Sequence, residues 1–126
     1  MKKLLLLIIL IFASSSVFAE WIELGSTETK TLYFKSDSIC KKKNLVKVWI
    51  LHNYSNAKED GTKSEKDLIE INCSEEEMRL LSTISYNQQF GKGTHLGHNY
   101  ISHSSFSPIV PESAGSHILQ KICNKK

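Results

Sequence analysis

The chain predicts an α+β fold: a single antiparallel β-sheet of five to six strands, with a C-terminal α-helix packed on one face and tethered to it by a disulfide. Three observations carry this. Apolar and polar residues alternate with period two through most of the chain after residue 20, as half-buried strands require. After Pro111 the spacing changes. Ala114, Ile118 and Ile122 stand four apart, as do Leu119 and Cys123, and together they form one apolar helical stripe. Cys123 falls on that stripe and Cys73 on the apolar face of a strand, so a bridge between them would staple helix to sheet. Closing the 50-residue loop between them stabilises by roughly 4 kcal/mol in the chain-entropy account.

Residues 1–19 read as a secretory signal peptide. Lys2 and Lys3 give a basic start, Leu4 to Phe12 is an unbroken apolar run, and Val17 and Ala19 suit the −3 and −1 positions of a cleavage site. Nine apolar residues are too few to span a bilayer, which takes about 20. Residues 20–126 are left as one domain in an oxidising compartment.

Trp21 to Leu24 is the first strand and Gly25-Ser26 ends it. Thr31 to Lys35 is short and rich in β-formers, and Ser36-Asp37-Ser38 reads as a turn. Leu45 to Tyr54 is the strongest strand. Val46, Val48 and Ile50 fall on one face, followed by His52 and Tyr54. Leu45, Lys47, Trp49 and Leu51 fall on the other. Both faces are largely apolar, which places this strand centrally in its sheet. Ser55 to Glu65 reads as an exposed loop.

Lys66 to Cys73 is the next strand, with Ile69, Ile71 and Cys73 sharing a face. A short acidic link, Ser74 to Glu77, leads into Met78 to Tyr86, which suggests a hairpin. Strict alternation there puts Met78, Leu80, Ile84 and Tyr86 on one face, with Ser82 among them. Asn87 to Ser107 holds three glycines and one weaker strand, His95 to Ile101. Pro108 and Pro111 bracket an extended segment. Ser113 then caps the helix, with Glu112 at its positive end and Lys121, Lys125 and Lys126 toward its negative end.

The formal charge of +3 contains Lys2 and Lys3 of the leader. The remaining 14 basic residues face 13 acidic ones, and a net charge of +1 gives no case for a nucleic-acid partner. Lys41-Lys42-Lys43 reads as a solvated turn. Three cysteines allow one bridge, which leaves Cys40 as a free or intermolecular thiol. No CxxC supports redox chemistry.

No catalytic constellation appears. There is no GxSxG elbow for a serine nucleophile, and Glu75-Glu76-Glu77 lacks the alternating pattern of a calcium loop. Gly91 and Gly93 lack the third glycine of a phosphate cradle. His95, His98 and His103 cluster and form the candidate heme or metal set, without an HExxH or a carboxylate beside them. Trp21, Tyr33 and Tyr54 are the candidate interface aromatics, while Trp49 and Tyr86 are expected in the core.

Taken in order, Trp21, Gly25, Tyr33-Phe34, Asp37-Ser38-Ile39, Val46-Lys47-Val48-Trp49, Asn53-Tyr54, Asn72-Cys73, Arg79-Leu80-Leu81-Ser82, Tyr86, Pro108-Ile109-Val110-Pro111, Ser113 and Cys123 resemble the surface-adhesin protein E-like family of Gram-negative bacteria. The resemblance covers nearly all of 20–126. It implies one sheet with a C-terminal helix tied to it by Cys73–Cys123. It also implies a non-enzymatic protein that binds host matrix or serum proteins such as vitronectin and laminin, with heme binding and homodimerisation as associated properties. Three positions depart from the family. Ala19-Glu20 offers no cysteine to carry lipid, so no lipid anchor is expected and the protein is periplasmic or secreted, with an outer-membrane surface location as the family's alternative. Asn72 stands where an Asp commonly precedes the first bridging cysteine, and Cys40 where a basic or polar residue is usual. The reading is thus an exported binding protein with no cofactor of its own. Two alternatives stay open: a periplasmic heme or metal binder using His95, His98 or His103, and an envelope protein without a small ligand.

Overall fold

The computed structural model describes residues 20–124. The expected signal peptide at 1–19, and Lys125 and Lys126, lie outside the described residues. An eight-stranded antiparallel sheet is built from β1 (Trp21–Ser26), β2 (Lys30–Lys35), β3 (Cys40–Lys42), β4 (Leu45–Tyr54), β5 (Ser64–Asn72), β6 (Glu77–Tyr86), β7 (His95–Tyr100) and β8 (Ser107–Pro108). Six strands form the continuous order β1-β2-β4-β5-β6-β7, which is the sheet the alternation predicts. The two extra strands are short and sit on its margins. β3 pairs β4 and β8 pairs β6. The lysine run accordingly enters a strand: Lys41 and Lys42 belong to β3, and Lys43 turns the chain into β4 with φ of 56°.

Every connection along the central strands is antiparallel and the register follows the alternation. Val46, Val48 and Ile50 of β4 face Ile71, Ile69 and Asp67 of β5. The helix α1 (Ala114–Cys123) lies over this face. Ile118, Leu119 and Ile122 are buried with Leu32, Phe34, Val46, Val48, Ile50, Ile69 and Ile71 in one core cluster. Burying each large aliphatic side chain is worth about 1.5–3 kcal/mol, so the helix is held mainly by its stripe. Its start is set by Ser113, whose Oγ accepts from Ser116 N at 3.3 Å, and its end by Asn124 in the left-handed region. The Cys73–Cys123 disulfide joins the end of β5 to the last turn of α1, with Cα atoms 5.8 Å apart. Among the described residues no helix is long and apolar enough to cross a membrane.

Two details differ from the alternation. Strand β5 begins at Ser64 because that serine is fully buried and bonded on both sides: its Oγ donates to Gln88 O at 2.6 Å and accepts from Gly91 N at 2.9 Å. In β6 a bulge at Leu81 shifts the pairing, so that Leu80 faces Ile69 and Ser82 faces Leu68. One extra residue reverses the alternation beyond it. Met78 and Leu80 stay on the core side with Ile71 and Ile69, and Ile84 and Tyr86 move to the opposite face. The expectation of one shared face for these four residues is therefore corrected.

Candidate functional site

The sheet face away from α1 carries no helix. Register places Trp21 and Lys35 together, Glu23 beside Tyr33, Tyr33 beside Leu51, Leu51 beside Lys66, and Lys66 beside Ile84. Trp49 lies on the same face, two residues from Leu51. Trp21, Lys35, Trp49, Lys66, Ile84 and Tyr86, all half-buried, line a concavity of about 190 Å³. Trp49 and Tyr86 are thus walls of an open surface and not core residues. The Leu81 bulge is what delivers Tyr86 and Ile84 to it.

One end of this face is closed by a tight turn at Gln89–Gly91. Phe90 N donates to Asn53 Oδ1 at 2.9 Å, and Gly91 N to Ser64 Oγ, so the turn is pinned to β4 and β5. Phe90 packs on Tyr33 with ring centroids 5.4 Å apart. Leu51, between Tyr33 and Lys66, has 0 % exposure as a result. Gly91 has φ of 68°, and a Cβ there would collide with Lys66 Cε. The backbone conformation favours glycine, and a larger residue would push the lysine end aside.

Lys66 is the electrostatic centre of the concavity. Its Nζ lies 5.2 Å from the Tyr86 ring centroid and 5.8 Å from that of Trp21, within cation–π range. Burial, and then the neighbouring Lys35 charge, push its pKa below the ordinary lysine value. Lys35 is paired with Glu20 at 3.6 Å and Asp37 at 4.0 Å, both exposed.

The expected site residues divide as follows. Trp21 and Tyr33 lie on the open face. Tyr54 does not: it shares the alternation of Ile50 and His52 and pairs with Lys30, with Lys58 Nζ 5.2 Å from its ring. Burial first, then Glu65, raises the Tyr54 pKa. His95 and His98 are exposed on β7 with ring centroids 6.1 Å apart, and His95 also meets Tyr86 at 6.2 Å. His98 Nε2 and Ser82 Oγ are hydrogen-bonded at 2.9 Å. His103 is exposed in the segment after β7. Among the described residues no three His, Cys, Asp or Glu side chains are grouped to hold a metal ion. Cys40 is an exposed free thiol on β3, opposite Lys47. Lys66 was not singled out by sequence reasoning. Its signal is a lysine within a strand at the position two before the aliphatic Leu68, which alternation alone reads as an ordinary solvated cation.

A second cavity, of about 460 Å³, opens on the helix side between α1, β6 and the segment after β7. Ile50, Ile69, Leu80, Ile101 and Ile118 give it apolar walls, His52 and Asp67 are among its polar groups, and Arg79, Ser104, Ser105 and Ser107 add others. Lys30 Nζ donates to His52 Nδ1 at 3.2 Å, which leaves Nε2 to donate to Asp67 at 3.0 Å, while Thr83 Oγ1 donates to Asp67 Oδ1 at 2.6 Å. Both ring nitrogens are therefore committed, and no serine or threonine hydroxyl is held as a nucleophile by this histidine. The network ties β2, β4, β5 and β6 together where the helix no longer covers them.

Comparison with known proteins adds to this geometry. The family model described as surface-adhesin protein E matches residues 21–124. Crystal form II of Haemophilus influenzae protein E is similar in structure, with a TM-score of 0.68 at 17 % identity over 86 % of this chain and 90 % of that one. The crystal structure of protein E from non-typeable Haemophilus influenzae gives 0.67 at 17 % identity, covering 87 % and 79 %. Another Haemophilus influenzae protein E structure gives 0.65 at 17 % identity, covering 86 % of each chain. At such identity the likeness in structure speaks for the fold. No match was found among curated proteins.

Proposed function

The chain belongs to the surface-adhesin protein E family, and from that premise we propose that it is an exported, non-enzymatic binding protein whose open sheet face docks against a host matrix or serum protein, with vitronectin and laminin as the first candidates. The family is one of exported or surface proteins with adhesin character. The observation that supports the reading here is the partly exposed aromatic surface made by Trp21, Tyr33, Trp49 and Tyr86 on the face without a helix. Trp and Tyr in a concave patch are the residue types that anchor protein contacts, because each buries a large rigid area at low entropic cost.

The test is capture of the purified exported protein on immobilised vitronectin and laminin. Saturable binding at micromolar concentration is expected, reduced about ten-fold or more by Trp49→Ala, the loss of a hot-spot side chain. Absence of saturable capture, or capture indifferent to Trp49→Ala and Trp21→Ala alike, would reject the open face as the docking surface.

A further inference from the structure

The concavity on the open face holds a cation with which no carboxylate among the described residues pairs. Lys66 Nζ lies within cation–π range of both the Tyr86 and Trp21 rings, and the end of its side chain fills the space that a Cβ at Gly91 would occupy. The ammonium is already half-removed from water, and its lowered pKa shows that the protein does not compensate the loss. Lys35 supplies a second positive group at the rim, and its own partners, Glu20 and Asp37, are exposed pairs of little strength. An anion entering here meets a positive field without having to displace an internal carboxylate from Lys66.

We propose that this concavity is a subsite for a hexuronate, a carboxylated sugar ring carried by the glycan of a partner. The proposal deepens the binding reading above and rests on it. Size and wall chemistry select the ligand. About 190 Å³ is well below the 300–1,000 Å³ of a pocket for a whole drug-sized ligand, and suits a single ring. Trp21, Trp49 and Tyr86 supply aromatic walls against which the C–H edges of a pyranose pack. A carboxylate projecting from the ring edge then reaches Lys66 and Lys35 as a charge-assisted hydrogen-bond acceptor. An aspartate or glutamate side chain offers the same carboxylate with only one or two methylenes, and would leave the aromatic walls wet.

The probes are a hyaluronan tetrasaccharide, which carries glucuronate, the neutral chitotetraose, and hexaglutamate, each titrated calorimetrically into the exported protein. Packing on the aromatic walls is expected to favour the hyaluronan fragment over hexaglutamate, and one charge-assisted hydrogen bond in a partly dry site to favour it about ten-fold or more over neutral chitotetraose. Lys66→Gln removes that preference, Trp21→Leu weakens binding through the wall instead of the charge, and Lys41→Gln, outside the concavity, changes nothing. Unchanged thermal melting of each variant excludes misfolding, and Trp21→Leu decides the matter if Lys66→Gln does not fold. Equal binding of acidic and neutral sugars, equal binding of hexaglutamate, or hyaluronan binding insensitive to the variants overturns the subsite. Matrix-protein capture is measured on the same samples. Capture without hyaluronan binding refutes the subsite and leaves the docking face standing; hyaluronan binding without capture does the reverse.

Discussion

Holding the Lys66 ammonium between two rings without a counter-ion costs folding free energy, so replacing it should stabilise the fold. Lys66→Met fills the same channel with a flexible apolar side chain that also contacts aromatic rings well, and its melting temperature is expected to rise. The sign of the pH effect follows from the lowered pKa. Below the folded-state value the group is charged in both states and the full penalty applies. As pH rises through that value the folded protein sheds the proton first, the unfolded chain still holds it, and stability increases. The melting advantage of Lys66→Met should therefore shrink on going from neutral pH toward the ordinary lysine range near 10.4; an advantage that stays constant or grows would contradict the assignment. Removing Arg79, in contrast, should destabilise the fold. Glu70 is 5 % exposed, and Arg79 grips its Oε1 through Nε at 2.8 Å and Nη2 at 2.5 Å, while Nη1 donates to Ser104 O at 3.2 Å. Arg79→Leu leaves a buried charge unpaired and should cost about 3–5 kcal/mol, read as a fall in the denaturation midpoint that Glu70→Gln in the same chain partly reverses. At this scale the sequence shows where the cysteines, Trp21 and Tyr33 go. It also places Tyr54 on the other side of the sheet from Trp21 and Tyr33, since Tyr54 shares parity with Val46, Val48 and Ile50. Lys66 is harder, because the rings around it come from β1 and β6, and only tertiary register brings them together.

The helix and the central strands are legible at the level of elements because each has a strong period and a capping or turn signal at its end. The stripe of α1 and its Ser113 cap are found where periodicity puts them. Ile118→Ala should cost about 2–5 kcal/mol through a cavity facing the sheet, whereas Ser113→Ala should cost about 1 kcal/mol, both measured by chemical denaturation. What periodicity cannot show is an irregular residue inside a strand. The Leu81 bulge is invisible in the sequence because neighbouring positions on both sides are apolar or small, so either phase of the alternation looks acceptable. Its functional weight is large, since it turns Ile84 and Tyr86 from the core face to the open one. The two short strands β3 and β8 are missed for a different reason: at three and two residues they are too short to display a period.

For the molecule as a whole, the sheet, the covering helix and the covalent link between them follow from the order of polar and apolar residues, while the choice of which sheet face meets a partner depends on side chains that converge from distant strands. Cys123→Ser should lower stability by about 4 kcal/mol by releasing the 50-residue loop, and reduction of the native protein should shift its thermal transition downward by the same route. An unchanged transition after complete reduction would deny the link any structural role. The position of that link also governs how the fold answers mechanical load. When opposite ends of the described chain are pulled, tension runs along β1 to β5 and crosses from Cys73 directly to Cys123. The loop between them, with a sequence separation of 50 and roughly 170 Å of contour if extended, stays outside the loaded path. β6, which supplies Tyr86, is thereby sheltered from stretching, whereas Trp21, Trp49 and Lys66 lie on strands that carry the force. An attachment made through this surface would accordingly begin to fail under strain at β1, the outermost loaded strand, before the disulfide-closed part of the protein is drawn out.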